Sequence, residues 1–180
     1  VCSPSSLYGK SKLLAEKAVF GFKDKIPVTI ARPPNVIGPR QNELFIILKL
    51  LKNNIFPVIG KNDEQTSICF VHDLVRALIL MAKKEQACSQ TYYVTDPKPY
   101  SWRNMLKIIA QKMGVSPYLI KIPYPVLLSA AQFLEILAKI TGNDPFITTQ
   151  YIFSTRNHYH LYDSKKIQNE LDFKYKTEFS

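Results

Sequence analysis

The chain has 180 residues, 46% of them hydrophobic and 21% charged, which suits one ordinary globular domain with a core and is too short for two large domains. Lysine and arginine total 24 against 14 acidic residues, a formal charge of +10, but the basic residues are scattered, so we expect no nucleic-acid partner. The three cysteines have no C-x2-C spacing, which predicts free thiols in a reducing compartment, the cytoplasm.

The first predicted element is a helix from Tyr8 to about Lys23, a stretch without proline. Leu14, Ala18 and Phe22 recur there at helical spacing, so we expect one apolar stripe that faces a core. The first residue is valine and a helix follows within a few positions. We therefore expect the chain to be the C-terminal portion of a longer protein.

Strands and helices alternate through the first half of the chain. The predicted elements are a strand in IPVTIAR that two prolines end, a helix in NELFIILKLLKNN, an extended piece in FPVIG, a strand in TSICFV, a helix in HDLVRALILMAKKE and a strand in TYYVTD. Asp73 provides a negative charge at the start of the second of these helices. The alternation predicts parallel βαβ units with helices beside a sheet.

The second half is predicted to be mainly helical. SWRNMLKIIAQKMG is a helix that Ser101 caps and Gly114 ends, and DSKKIQNEL is a helix capped by Asp163. The apolar segment from Pro125 to Ile140 is shorter than the roughly 20 residues that a membrane span needs. We interpret it as an amphipathic helix that packs on the core, and the alternative is a helix that lies on a membrane surface with the same apolar face.

Two Tyr-x3-Lys pairs occur, Tyr8 with Lys12 and Tyr162 with Lys166. In a helix such a pair lies one turn apart on one face, where the ammonium favours the phenolate form that general acid/base catalysis uses. The first pair starts a helix after a loop rich in serine and proline, and a strand follows. The second follows an Asp cap near the end of the chain. We expect the first pair to be functional and the second to be structural.

Four segments, SPSSLYGKSKLLAE, ARPPNVIGPRQ, FVHDLVRALILMA and DSKKIQNELDF, stand in the order and approximate spacing of the extended short-chain dehydrogenases/reductases. Over nearly its whole length the chain resembles the NAD-dependent epimerase/dehydratase group of that family. The resemblance implies an α/β fold, the C-terminal part of a Rossmann-like doubly wound parallel sheet. Residues 1–100 would hold that part with an inserted substrate-region segment at about 40–70, and residues 101–180 a mainly helical substrate-binding region.

The resemblance also implies an enzyme, an oxidoreductase or epimerase that uses NAD or NADP at a hydroxyl or carbonyl group. Tyr8 would be its acid/base, and Lys12 would bind the cofactor ribose and assist Tyr8. Pro33, Pro34 and Val36 would line the nicotinamide site at the carboxyl edge of the sheet. The candidate substrate contacts are Asn35, which is alternatively a turn residue, and Arg40 and Arg156, which are alternatively surface residues.

Two features of the family are missing from the sequence, the Gly-rich phosphate loop and the catalytic Ser or Thr upstream of the tyrosine. We expect both in a preceding part of the protein, and little activity from this chain alone. The alternative is a non-catalytic nucleotide-binding or assembly protein of the same fold. Thr66 or a neighbour replaces the arginine that sugar-nucleotide members carry before VHD, so sugar-nucleotide and non-phosphorylated flavonol-like or steroid-like substrates both stay open.

The expected partners are a small-molecule substrate and a second copy of the chain, which would pair through the Tyr8–Lys23 helix. We expect no association with a membrane. His158 and His160 alternate in a way that would suit a strand-borne metal site. A third ligand is lacking in the sequence around them and the implied chemistry needs no metal, so we expect none.

Overall fold

The computed structural model describes Pro4 and residues 6–59, 65–142, 145, 148–149, 152 and 161–177. Its elements in chain order are α1 (Leu7–Phe20), β1 (Ile30–Arg32), β2 (Asn35–Ile37), α2 (Asn42–Lys52), β3 (Ile55–Ile59), β4 (Gln65–Thr66), β5 (Ile68–Phe70), α3 (Val71–Lys83), a 3-10 turn (Glu85–Ala87), β6 (Thr91–Tyr93), β7 (Tyr100–Ser101), α4 (Trp102–Lys112), β8 (Tyr118–Ile122), α5 (Tyr124–Thr141) and α6 (Lys165–Leu171). The chain divides into two units, residues 1–39, 66–100 and 160–180, and residues 40–65 and 101–159.

The first unit contains two parallel strand pairs. β1 pairs with β6, with Ile30 opposite Thr91, and β2 pairs with β5, with Asn35 opposite Ile68. Parallel strands joined through helices define the α/β class, so the predicted fold class is confirmed. The buried core of this unit consists of Cys69, Ala77, Met81, Ala87, Tyr92, Val94, Ile167, Leu171 and Phe173.

Within the described residues, the second unit contains helices α2, α4 and α5 and one parallel strand pair. β3 pairs with β8, with Ile55 opposite Tyr118, and its core consists of Leu51, Phe56, Leu106 and Ala110. α4 begins as expected, because the Ser101 hydroxyl accepts the N–H of Asn104 at 3.2 Å. β8 was absent from the sequence prediction, since its partner lies more than 60 residues away. The predicted boundary at residue 100 and the insertion at about 40–70 remain predictions about domains.

The predicted course of α1 is wrong in two respects. The helix ends at Phe20, where the N–H groups of Gly21 and Phe22 bond back to the carbonyls of Lys17 and Val19. Phe22 therefore lies in the following turns and is not part of a helical stripe. Leu14 is 64% exposed and, within the described part of the chain, α1 contributes no buried residue. The expected stripe thus faces away from the core of its unit.

Asp73 lies at the start of α3, as its position predicts, and it also has a second role. It lies in the first turn of α3 and is 1% exposed. Its carboxylate accepts the N–H groups of Lys176 at 3.2 Å and Thr177 at 3.0 Å, and an N–H of the Arg76 guanidinium at 2.5 Å. Asp73 therefore holds the segment after α6 in place against α3.

Candidate functional site

The start of α1 is fixed by a side-chain cap and a close approach. Ser6 has an extended backbone, and its hydroxyl accepts the N–H of Gly9 at 3.0 Å, which satisfies one of the free donors of the first turn. A Cβ on Gly9 would lie 2.8 Å from the Cβ of Pro4. Glycine at position 9 therefore lets Pro4 lie against the helix, and the cap sets Tyr8 as the second residue of α1.

Tyr8 and Lys12 lie one helical turn apart, as their spacing predicts. The ammonium of Lys12 is 5.5 Å from the centre of the Tyr8 ring, within the range of a cation–π contact. Tyr8 is 68% exposed. A solvent-accessible phenol is a group that can exchange a proton with a bound hydroxyl group, and Lys12 adds a positive charge beside it.

The second Tyr-x3-Lys pair is arranged differently. Lys166 donates to the side-chain oxygen of Gln90 at 2.7 Å and lies over the Tyr92 ring, 4.9 Å from its centre. Tyr162 precedes α6 and stacks on Tyr93, with 5.0 Å between the ring centres. The two members of this pair therefore contact different groups, and Lys166 connects α6 to the end of the loop before β6.

A cleft of about 310 Å³ opens beside α1 at the carboxyl ends of β1 and β6. Lys12 lines it from the helix, Pro33 follows the last residue of β1, and Tyr93 is the last residue of β6. Ligands of open α/β sheets bind outside the carboxyl ends of the strands. The other lining residues are Pro4, Gly9, Leu13, Glu16, Arg32 and Tyr162.

An ion pair crosses one wall of this cleft. The guanidinium of Arg32 donates to the Glu16 carboxylate through Nε at 3.0 Å and through Nη2 at 2.5 Å, and Nη1 donates to the Tyr93 hydroxyl at 3.1 Å. These contacts, led by the Glu16 hydrogen bonds, raise the pKa of Arg32 above its ordinary value. The sequence interpretation missed this pair. Two features of the sequence could have indicated this ion pair: Glu16 lies one helical turn after Lys12, and an arginine directly precedes the two prolines.

Among the described predicted residues, Tyr8, Pro34, Asn35, Val36 and Arg40 do not line the cleft with Lys12 and Pro33. Pro34 and Val36 are half-buried, and Asn35 is exposed at the start of β2. The alternative that Asn35 is a turn residue is therefore wrong, because a strand begins there. Arg40 is exposed, with a φ of 68°. Arg156 lies outside the described residues.

Across the described ranges, no three His, Cys, Asp or Glu side chains come together in a way that could hold a metal ion. His158 and His160 lie outside those ranges. None of the described helices is both long and apolar enough to cross a bilayer.

Comparison with known proteins places the whole chain in one family. The family model described as GDP-mannose 4,6 dehydratase matches residues 1–180. Among curated proteins, the chain is 26% identical over 144 residues to an N-acetyl-alpha-D-glucosaminyl-diphospho-ditrans,octacis-undecaprenol 4-epimerase of Escherichia coli O157:H7, covering 77% of the chain and 44% of the relative. It is 26% identical over 155 residues to a decarboxylating sterol-4-alpha-carboxylate 3-dehydrogenase of Candida albicans, and the match covers 78% of the chain and 44% of that relative.

A third curated relative is a ceramide reductase of Caulobacter vibrioides, 24% identical over 138 residues, with 76% of the chain and 43% of the relative covered. The chain thus spans less than half the length of these relatives. Among solved structures, an epimerase from Methanothermobacter thermautotrophicus superimposes with a TM-score of 0.74 at 20% identity, over 99% of the chain and 48% of that structure. This likeness shows a shared fold.

Proposed function

Because the chain belongs to the extended short-chain dehydrogenases/reductases, in the family of the GDP-mannose 4,6 dehydratase model, we propose that it is the Tyr-Lys portion of an NAD(P)-dependent oxidoreductase or epimerase. The observation that carries the proposal is the Tyr8–Lys12 pair, with Lys12 lining the cleft at the end of β1. The chain covers less than half of its curated relatives, so the proposed activity is that of a complete protein that contains it.

The residues around the cleft have the chemical groups that a nicotinamide nucleoside requires. Lys12 offers N–H donors to ribose hydroxyls, whereas Pro33, Leu13 and the ring of Tyr93 offer apolar surface to a flat ring. NAD or NADP would supply the hydride acceptor or donor. The proposal assigns two roles to Lys12: it binds the ribose, and it keeps a positive charge beside Tyr8.

The proposed step at Tyr8 is a proton transfer. When an alcohol is oxidised, the phenolate oxygen of Tyr8 takes the hydroxyl proton while the hydride leaves the same carbon and a C=O bond forms. In reduction the Tyr8 phenol returns its proton to the carbonyl oxygen. Lys12 keeps a positive charge beside this proton-transferring group, 5.5 Å from the centre of the Tyr8 ring.

We infer that the substrate hydroxyl belongs to a lipid or to a group linked to a lipid. The three named curated relatives act on an undecaprenol-linked sugar, a sterol and a ceramide, according to their names. These substrates share an apolar body rather than a nucleotide. The presence of Thr66 where sugar-nucleotide members carry an arginine is consistent with that class.

The test of this function uses the complete protein with NAD(H) or NADP(H) and a lipid alcohol. Tyr8→Phe should bind the cofactor with nearly unchanged affinity and lose turnover by about 100-fold or more, since it removes the proton-transferring oxygen. Lys12→Met should weaken both cofactor binding and turnover. Lys166→Met is the matched control, because it removes the lysine of the second pair and should leave both quantities unchanged.

An active Tyr8→Phe enzyme would refute the assignment of the acid/base. A complete protein that binds the cofactor but turns over no alcohol or carbonyl would instead be the non-catalytic nucleotide-binding relative. An upstream Gly-rich loop together with an upstream Ser or Thr would favour the enzyme before any assay is run.

A further inference from the structure

Among the described residues, helix α5 has one apolar side that is buried or half-buried and a second that is exposed. Ala131 is buried, and Leu127, Leu134 and Ala138, which lie on the same side of the helix, are half-buried. This side is the packing face that the sequence predicts. A second apolar face therefore needs a separate explanation.

The second face is an exposed seam of large apolar side chains, which we call the α5 seam. Val126, Phe133 and Ile140 repeat every seven residues, and Ile136 and Leu137 fill the same arc. Phe133 is 60% and Ile140 75% exposed. The seam runs for about 21 Å along the helix, given a rise of about 1.5 Å per residue. Exposure of such a long apolar surface to water is unfavourable, so we expect an apolar partner or medium to cover the seam.

The stretch of sequence that contains the seam is rich in basic residues and poor in acidic residues. Residues 101–142 are described without a gap, and Glu135 is their one acidic residue. The carboxylate of Glu135 accepts the N–H of Thr149 at 2.7 Å and its hydroxyl at 3.0 Å. The cations of the same stretch are Arg103, Lys107, Lys112, Lys121 and Lys139.

The strand before the helix also exposes apolar side chains. β8 leads into α5 through Pro123, and Leu119 and Ile120 are 45% and 44% exposed on it. A protein with net positive charge and an apolar helix face has the two features that bind an interfacial helix to an anionic bilayer. Like charge opposes burial of the same region against a second copy.

We propose that the α5 seam lies in the headgroup layer of an anionic membrane, with Lys121 and Lys139, the exposed lysines just before and on α5, contacting lipid phosphates. This inference rests on the proposed function, because a lipid-borne substrate is met at a membrane. It reverses the expectation that the chain has no membrane association. It also separates the two alternatives for α5, since packing and membrane contact use opposite faces of the helix.

The test is co-sedimentation of the complete protein with vesicles of phosphatidylglycerol and phosphatidylcholine in equal parts, and with phosphatidylcholine alone. Binding is expected to the mixed vesicles, and it should fall by about fivefold or more with pure phosphatidylcholine and in 0.5 M salt. Ile136→Gln should weaken binding by about fivefold, because it removes apolar area from the seam. Ile79→Gln is the matched control, a helical isoleucine of similar exposure on α3, and should bind as the wild type does.

Ile140→Trp keeps the seam apolar, and its fluorescence should be quenched by brominated lipids beyond that of the wild type. Tyr8→Phe should bind vesicles normally, so a failed vesicle assay and a failed catalytic assay can be told apart. Absence of wild-type binding to the mixed vesicles, or equal loss in Ile79→Gln and Ile136→Gln, would overturn the proposal. A dimer that Ile136→Gln dissociates, without vesicle binding, would assign the seam to a second copy and would also overturn it.

Discussion

Glu16 on α1 and Arg32 at the end of β1 are joined by three hydrogen bonds, from Nε to both carboxylate oxygens at 3.0 and 3.2 Å and from Nη2 at 2.5 Å. Each side chain is 25% exposed. Lys12 lies one turn before Glu16, and Pro33 directly follows Arg32. The pair therefore fixes the distance between the two cleft walls that the proposed function uses.

The first prediction concerns this ion pair. Arg32→Lys keeps the charge but replaces the planar fork by one ammonium, which cannot make the parallel hydrogen bonds. We expect a loss of about 1–2 kcal/mol in the free energy of unfolding, between the values of exposed and buried pairs. Urea denaturation of wild type and variant measures it.

The control for that prediction is a second ion pair of the same unit. Lys174 and Asp172 are 3.9 Å apart and both side chains are more than 80% exposed. Lys174→Gln should leave stability unchanged, because solvent screens the pair. Equal stability of Arg32→Lys and wild type would mean that the Glu16 contact contributes no net stabilisation.

The second prediction concerns the segment that Asp73 holds. Asp73→Ala leaves the N–H groups of Lys176 and Thr177 without their acceptor, and it leaves Arg76 without its carboxylate. Loss of a buried charged acceptor costs about 2–4 kcal/mol. We also expect trypsin to cleave after Lys174 and Lys176 several times faster in native buffer. Asp24→Ala, an exposed acidic residue in a turn, should change neither quantity.

The sequence was most informative where the local pattern decided the structure. Helices α2 to α5 and strands β3, β5 and β6 lie where apolar periodicity and turn residues place them. β2 and β8 were missed because their hydrogen bonds go to strands far along the chain. The helical spacing of apolar residues does not indicate which neighbouring element covers them. The exposure of the stripe on α1 and of the second face of α5 could therefore be seen only in the structure.

The candidate site likewise combines features that local sequence predicts with contacts that depend on tertiary packing. Helical spacing predicted that Tyr8 and Lys12 would lie together, and both Tyr-x3-Lys pairs have that spacing. What distinguishes Lys166 is its contacts with Gln90 and the Tyr92 ring, which depend on the packing of α6 beside β6. The Glu16–Arg32 pair depends in the same way on how α1 and β1 pack. Such partners have no signature in a local window of sequence.

The third prediction is a loss of stability in alkaline solution. Burial raises the pKa of Cys69 from 9.0 to about 12, and burial together with the Glu170 hydrogen bond raises that of Tyr92 from 10.0 to about 12. Burial also raises the pKa of Tyr175 from 10.0 to about 12. The unfolded chain therefore releases these protons at lower pH than the folded chain. Stability should be full below about pH 9 and fall as pH rises toward 12.

Urea denaturation between pH 8 and pH 11 measures this dependence. Tyr92→Phe removes one of the three groups, so its stability should fall less steeply with pH than that of the wild type, whatever its value at pH 8. Tyr118→Phe is the control, because Tyr118 is an exposed tyrosine of β8 and its loss should leave the slope unchanged. A wild-type stability that stays constant up to pH 11 would contradict the prediction.

The fourth prediction concerns the contact between Gly38, just after β2, and Val71, the first residue of α3. A Cβ on Gly38 would lie 2.5 Å from Cγ1 of Val71 and 3.0 Å from its Cβ. Valine is stiff about χ1, so it cannot turn its methyl groups away, and Gly38→Ala should cost about 1–3 kcal/mol through displaced backbone. Val71→Ala removes both methyl groups, so adding it to Gly38→Ala should recover part of that loss. Urea denaturation of the two single variants and the double variant gives the coupling energy. If the two single effects simply add, the close approach is not what requires glycine at position 38.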